Sequence, residues 1–95
     1  MILQVIKLKT NLQEEELLRR AREREPQFKA IPGLVQKYYV KLDEPGHYGG
    51  VYVWDSQESL NAFKGSDLAK SIPGAYEIVG APNVEIMNIL FQLRQ

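Results

Sequence analysis

Cysteine is missing from the sequence, which rules out disulfides, thiolate metal sites and thiol catalysis. Histidine occurs once, as His47, too few for a structural zinc site. Neither sign of charge is in excess, because 12 Lys and Arg balance 12 Asp and Glu. No net field therefore draws the chain to nucleic acid or to an anionic membrane. No apolar run approaches the ~20 residues that span a bilayer, and no signal-peptide pattern opens the chain. The cytoplasm is the expected location. No glycine-rich phosphate loop follows a strand, and no serine stands in a nucleophile elbow. What is present is an ordinary globular composition, 44% hydrophobic in 95 residues. It predicts a single domain over residues 1–95.

The most informative stretch is Gly49-Gly50-Val51-Tyr52-Val53-Trp54-Asp55-Ser56. β-Branched and aromatic residues on both faces predict a central strand covered on each side. Asp55 followed by Glu58 predicts a helix cap immediately after it. Ile2 to Lys9 reads as a first strand, with Ile2, Gln4, Ile6 and Leu8 on one face and Leu3, Val5 and Lys7 on the other. Asn11 and Glu14 form a capping-box pattern for a helix that Pro26 should end. Its Glu-first, Arg-later order complements the helix dipole. The arginines read better as a charge-balanced, solvated face than as a phosphate patch.

Ile31-Pro32-Gly33 reads as a turn into a strand, Leu34 to Leu42, whose alternation places Gln36, Tyr38 and Val40 with Leu34. Asp43-Glu44-Pro45-Gly46 predicts a hairpin to the glycine-led strand, with His47 in the turn. A short helix follows to Lys64, and Asp67 to Ser71 could add one turn. Ile72-Pro73-Gly74 repeats the earlier tripeptide, and Val84 to Leu93 reads as the last strand. Strand–helix–strand, twice over, predicts an α+β, ferredoxin-like split βαβ fold with a four-stranded antiparallel sheet.

Two helices cover one face of such a sheet. The other face would expose residues such as Ile6, Leu8, Tyr38, Val40, Tyr52, Trp54 and Ile86, a patch larger than monomers usually tolerate. A homodimer closing the two sheets into an α/β barrel is the simplest remedy. A monomer with a large ligand or another partner on that face is the alternative. Gln36, Tyr38, Tyr52, Trp54 and Asn88 mix aromatic and sparse polar groups, the composition of a small-molecule pocket. A solid core with paired Tyr and Trp polar atoms fits them equally well.

Ile31-Pro32-Gly33-Leu34 with Lys37, then Gly49-Gly50-Val51-Tyr52-Val53-Trp54 and a capped helix, resembles the YdhR-like monooxygenase family. That family lies within the dimeric α/β-barrel proteins that include antibiotic-biosynthesis-type monooxygenases. The resemblance implies a barrel of two protomers and oxygenation of a small aromatic or polycyclic substrate, often without metal or flavin. Lys37 and Tyr52 match the motif, and Trp54 falls where an aromatic is common. Haem or flavin stays open as a cofactor, although His47 in a turn is a poor axial ligand. As catalytic candidates we take Tyr52 and His47, the one side chain whose ordinary pKa lies near neutrality. As substrate-binding candidates we take Gln36, Lys37, Tyr38, Trp54 and Asn88. A non-catalytic ligand-binding or stress-related dimeric module of the same fold is the alternative.

Overall fold

The structure is a computed structural model in which residues 1–94 are described. Four strands, β1 (Ile2–Lys9), β2 (Leu34–Lys41), β3 (His47–Trp54) and β4 (Asn83–Asn88), form one antiparallel sheet in the order β2-β3-β1-β4. Helix α1 (Glu14–Lys29) connects β1 to β2, and α2 (Gln57–Lys64) and α3 (Asp67–Ala75) connect β3 to β4. This is the expected α+β, ferredoxin-like arrangement, with three helices rather than two. None of the described helices is long and apolar enough to cross a membrane.

The helices cover one face of the sheet, and the core lies between. Ile2, Ile6, Tyr52 and Trp54 from the sheet meet Leu17, Ala21 and Phe28 of α1, Leu60 and Phe63 of α2, and Ile72 of α3. Trp54 is fully buried, and its Nε1 donates to Gln4 Oε1 at 2.9 Å. The amide thereby satisfies the one polar atom that the indole brings into the core. Tyr52 lies parallel to Trp54, with ring centroids 6.0 Å apart.

Several local expectations are corrected. Helix α1 starts after Gln13 with no side-chain cap, rather than at Asn11. It also runs three residues past Pro26. Continuing costs a backbone hydrogen bond, but it carries Phe28 into the core, where burial of such a ring returns about 1.5–3 kcal/mol. Ser56, not Asp55, caps α2, and its Oγ accepts from the Ser59 amide at 3.2 Å. The two Ile-Pro-Gly tripeptides differ in conformation. The first is a turn with Gly33 at φ 83°, whereas the second lies inside α3. Strand β4 stops at Asn88, so Leu90, Phe91 and Leu93 lie beyond it as exposed apolar side chains.

The most consequential difference is a β-bulge in β2. Leu34 pairs with Trp54, but Gln36 pairs with Val53 and Lys37 with Tyr52. Val35 is the extra residue, and one extra residue exchanges the faces of everything after it. Lys37, Tyr39 and Lys41 therefore share the helix-covered face with Leu34, while Gln36, Tyr38 and Val40 turn to the other. The bare face consequently carries Leu3, Val5, Tyr38, Val40, Val51, Val53 and Met87. Ile6, Leu8, Tyr52, Trp54 and Ile86, expected on that face, stand on the helix side instead.

Candidate active site

A cavity of about 130 Å³ lies between α1, α3 and the β1-β3-β2 part of the sheet. Its apolar wall includes Ile6, Leu8, Leu17, Ala21 and Ile72. Gly50, on β3, adds no side chain there, and a Cβ at that point would stand 3.0 Å from the Tyr52 ring. Polar groups enter from β2 (Lys37, Tyr39, Lys41), β3 (Tyr48, Tyr52) and the residue that caps the end of α3 (Tyr76). Register sets their order, with Lys37 beside Tyr52, Tyr39 beside Gly50 and Lys41 beside Tyr48. The cavity thus follows the strands for about four residues, or roughly 13 Å at the usual strand rise.

The two ends differ in charge. At one end Lys41 Nζ is 3.0 Å from Glu14 Oε1, an exposed and compensated pair. At the other, Lys37 Nζ is surrounded by rings, 3.5 Å from the centroid of Phe28, 4.3 Å from Tyr39 and 4.6 Å from Tyr52. Burial first, and the positive charge of Arg24 second, push the Lys37 amine down to about 7. Ring faces attract the ammonium form but replace little of its lost hydration. An amine divided between its charged and neutral forms near neutrality can both take up and return a proton.

The tyrosines are shifted the other way. Burial chiefly pushes the Tyr39 hydroxyl up to about 12, and it raises the nearly inaccessible Tyr52 hydroxyl as well. Tyr52 consequently stays protonated at neutral pH and can donate a hydrogen bond there, but it cannot act as a base. Tyr76 is held in place from both sides of its peptide. Thr10 Oγ1 donates to the Tyr76 carbonyl at 2.7 Å, and Arg20, paired with Glu16 and Glu77, donates to the Ala75 carbonyl at 3.1 Å.

Of the residues selected from the sequence, the cavity brings together Lys37 and Tyr52. Trp54 is in the core behind Tyr52, where it stacks on that ring rather than on anything in the cavity. Gln36 and Tyr38 are on the bare face, moved there by the bulge. Asn88 is opposite Ile2 at the exposed end of β4. His47 begins β3 instead of lying in the turn. Its ring approaches Pro45 O at 3.2 Å and Glu44 Oε2 at 3.4 Å, away from the cavity lining. Tyr39, Tyr48 and Tyr76 escaped notice in the sequence. Tyr39 required the bulge to be seen, and Tyr76 required the fold of α3.

The sequence profile of the antibiotic biosynthesis monooxygenases matches residues 1–72. The chain belongs to this family. Solved structures similar to this antibiotic biosynthesis monooxygenase family member agree on the fold. A Caulobacter crescentus protein assigned to antibiotic biosynthesis monooxygenases is 22% identical, with TM-score 0.78, over 95% of this chain and 90% of that one. SnoaB, a cofactor-independent oxygenase from Streptomyces nogalater, is 12% identical, with TM-score 0.77, over 99% and 97%. A Nitrosomonas europaea protein of unknown function is 19% identical, with TM-score 0.76, over 96% and 90%. At such identities the likeness is one of fold. Among curated protein sequences none matches the chain.

Proposed function

We propose that this family member is a cofactor-independent monooxygenase of the YdhR-like type. In this reading residues 1–95 form a single domain that works as a homodimer on a small aromatic substrate. The observation that carries the reading is Lys37, an amine enclosed by aromatic faces in the wall of the cavity, away from the paired Lys41 and Glu14 at its other end. Without flavin, metal or external reductant, the substrate itself must supply every electron. A ring CH2 becoming C=O supplies four, which balance one O2, with the second oxygen atom leaving as water. The protein's task is then to help remove a substrate proton and to keep the resulting anion away from bulk water. Neutral Lys37 takes the proton. The ammonium so formed and the Tyr52 hydroxyl then stabilise the anion while oxygen accepts an electron from it. His47, on the opposite side of the sheet, has no part in this arrangement.

The dimer rests on the bare face. Five of its seven apolar side chains are already partly buried in the protomer, so covering the face would gain several kcal/mol, less than the ~1.5–3 kcal/mol that each fully exposed side chain would return. The exposed Leu90, Phe91 and Leu93 add to the surface that a second copy could cover.

Oxygen uptake by chelator-treated, flavin-free protein with dihydroxynaphthalenes tests the activity. Uptake that carries one atom of labelled oxygen into the product and is abolished by Lys37→Met supports it. Binding without uptake would instead favour a non-catalytic ligand-binding module.

A further inference from the structure

The Lys37 end of the cavity has more positive charge in and behind its wall, and more unpaired donors, than an uncharged aromatic ligand would use. Arg24, on the inner side of α1, places its guanidinium carbon 5.7 Å from the Phe28 ring centroid and 5.6 Å from that of Tyr76. Its Nη2 donates to Ser71 Oγ at 2.9 Å, a neutral partner. Its Nε is buried and without a partner, and so is the hydroxyl of Tyr76, itself 6% exposed. Buried donors in folded proteins are nearly always paired, so two such atoms on neighbouring side chains, with Tyr76 in the cavity wall and Arg24 behind it, mark a place that something else completes. Nor do nearby carboxylates neutralise the cations. Glu25 extends towards Lys29, 3.7 Å away, and Glu14 belongs to Lys41 at the far end.

We propose that this end of the cavity receives the anionic oxygen of an aromatic ligand, seated between Lys37 Nζ and the Tyr76 hydroxyl with the charge of Arg24 behind them. The ligand is accordingly an aromatic acid in the broad sense, with an ionised oxygen attached to its ring system. The rings of Tyr39 and Tyr52 contact its flat body, and Ile6, Leu17 and Ile72 exclude water from it. A ligand anion cancels the repulsion between Lys37 and Arg24, which no group among the described residues does. This inference rests on the cavity being the substrate site and requires no turnover: a phenol reaches the seated ion pair by giving its proton to neutral Lys37, whereas a ligand already ionised meets Lys37 as ammonium.

Calorimetric titration under nitrogen tests it, with 2-hydroxy-1,4-naphthoquinone as the anion and its methyl ether, 2-methoxy-1,4-naphthoquinone, as the neutral counterpart. Charge-assisted hydrogen bonds in a dry site predict binding of the anion about tenfold or more tighter. Tyr76→Phe and Arg24→Gln should each remove most of that preference while leaving the affinity of the ether unchanged. Arg24→Lys, which retains the charge, should keep most of it and provides the check if Arg24→Gln does not fold. 2-Naphthoate distinguishes the two sources of a ring-borne oxyanion, and a preference for it over 2-naphthamide supports the same seat. Equal affinity for anion and ether, or a preference that survives both Tyr76→Phe and Arg24→Gln, overturns the proposal. Anion preference without oxygen uptake would refute the oxygenase reading and leave the anion seat standing.

Discussion

Lys37 Nζ stands 3.5 Å from the centre of the Phe28 ring, on a strand that places it beside Tyr52. Folding therefore lowers the affinity of this amine for a proton, and stability should register the difference. The folded-state pKa of about 7 lies below the ordinary 10.5. Between those values the unfolded chain binds more protons, so the contribution of Lys37 to stability rises with pH and is flat below 7. Thermal melts should show a rise in melting temperature from neutral to mildly alkaline pH that Lys37→Met abolishes. At neutral pH the same substitution should stabilise by on the order of 1 kcal/mol, net of the lost cation–ring attraction. A melting temperature that does not rise over this range would remove the buried-amine assignment.

Catalysis should follow the same group. With a substrate whose ring hydroxyl ionises well above neutrality, oxygen uptake should rise through about pH 7 as Lys37 loses its proton. Arg24 is one of the two causes that hold Lys37 down, so Arg24→Gln should move the midpoint to higher pH. The other titratable groups facing this end are Tyr39, Tyr52 and Tyr76, whose pKa values are all raised, and Glu25, whose negative charge is felt at Tyr39. None of the three tyrosines loses its proton near neutrality, so a midpoint unmoved by Arg24→Gln would exclude Lys37 as the base.

Trp54 separates a core role from a ligand role. In Trp54→Phe the Gln4 amide loses its buried partner and a small void opens. The expected cost is about 2–4 kcal/mol. Chemical denaturation should show that loss, while ligand affinity stays within about twofold, since the indole does not line the cavity. A large fall in affinity with unchanged stability would return Trp54 to the site.

Gly33 has φ 83°, and a Cβ there would overlap Ser59 and come within 2.6 Å of Asp55 Oδ1. Gly33→Ala should destabilise by roughly 2 kcal/mol or more, combining left-handed strain with the clash. Adding Ser59→Gly should recover only part of this, because the backbone strain remains. Full recovery in the double variant would assign the whole cost to the clash.

Leu3 and Val53 are neighbours on the bare face. Sedimentation should give about twice the protomer mass of 10.9 kDa for the native chain. Leu3→Glu together with Val53→Glu should return it to the protomer mass, by placing charges in an apolar contact. A native mass equal to one protomer would leave the bare face without its proposed cover.

What could be read from the amino acids alone was whatever depends on near neighbours in sequence. The absence of cysteine, the lone histidine and the balanced charge excluded whole chemistries. Alternating apolar residues in β1 and β3, and the order of strands and helices, fixed the ferredoxin-like topology, because strand and helix periods are local properties. Tertiary structure decided the faces and the site. The bulge at Val35 shows only in the pairing of β2 with β3, and α1 continues past Pro26 because Phe28 finds a core. Arg24 and Tyr76, 52 residues apart in the chain, come together only through the packing of α1 against α3. Their local sequences are those of an ordinary charged helix and an ordinary helix end. The free energy of burying a charge or a ring is set by what surrounds it, and those surroundings come from distant parts of the chain.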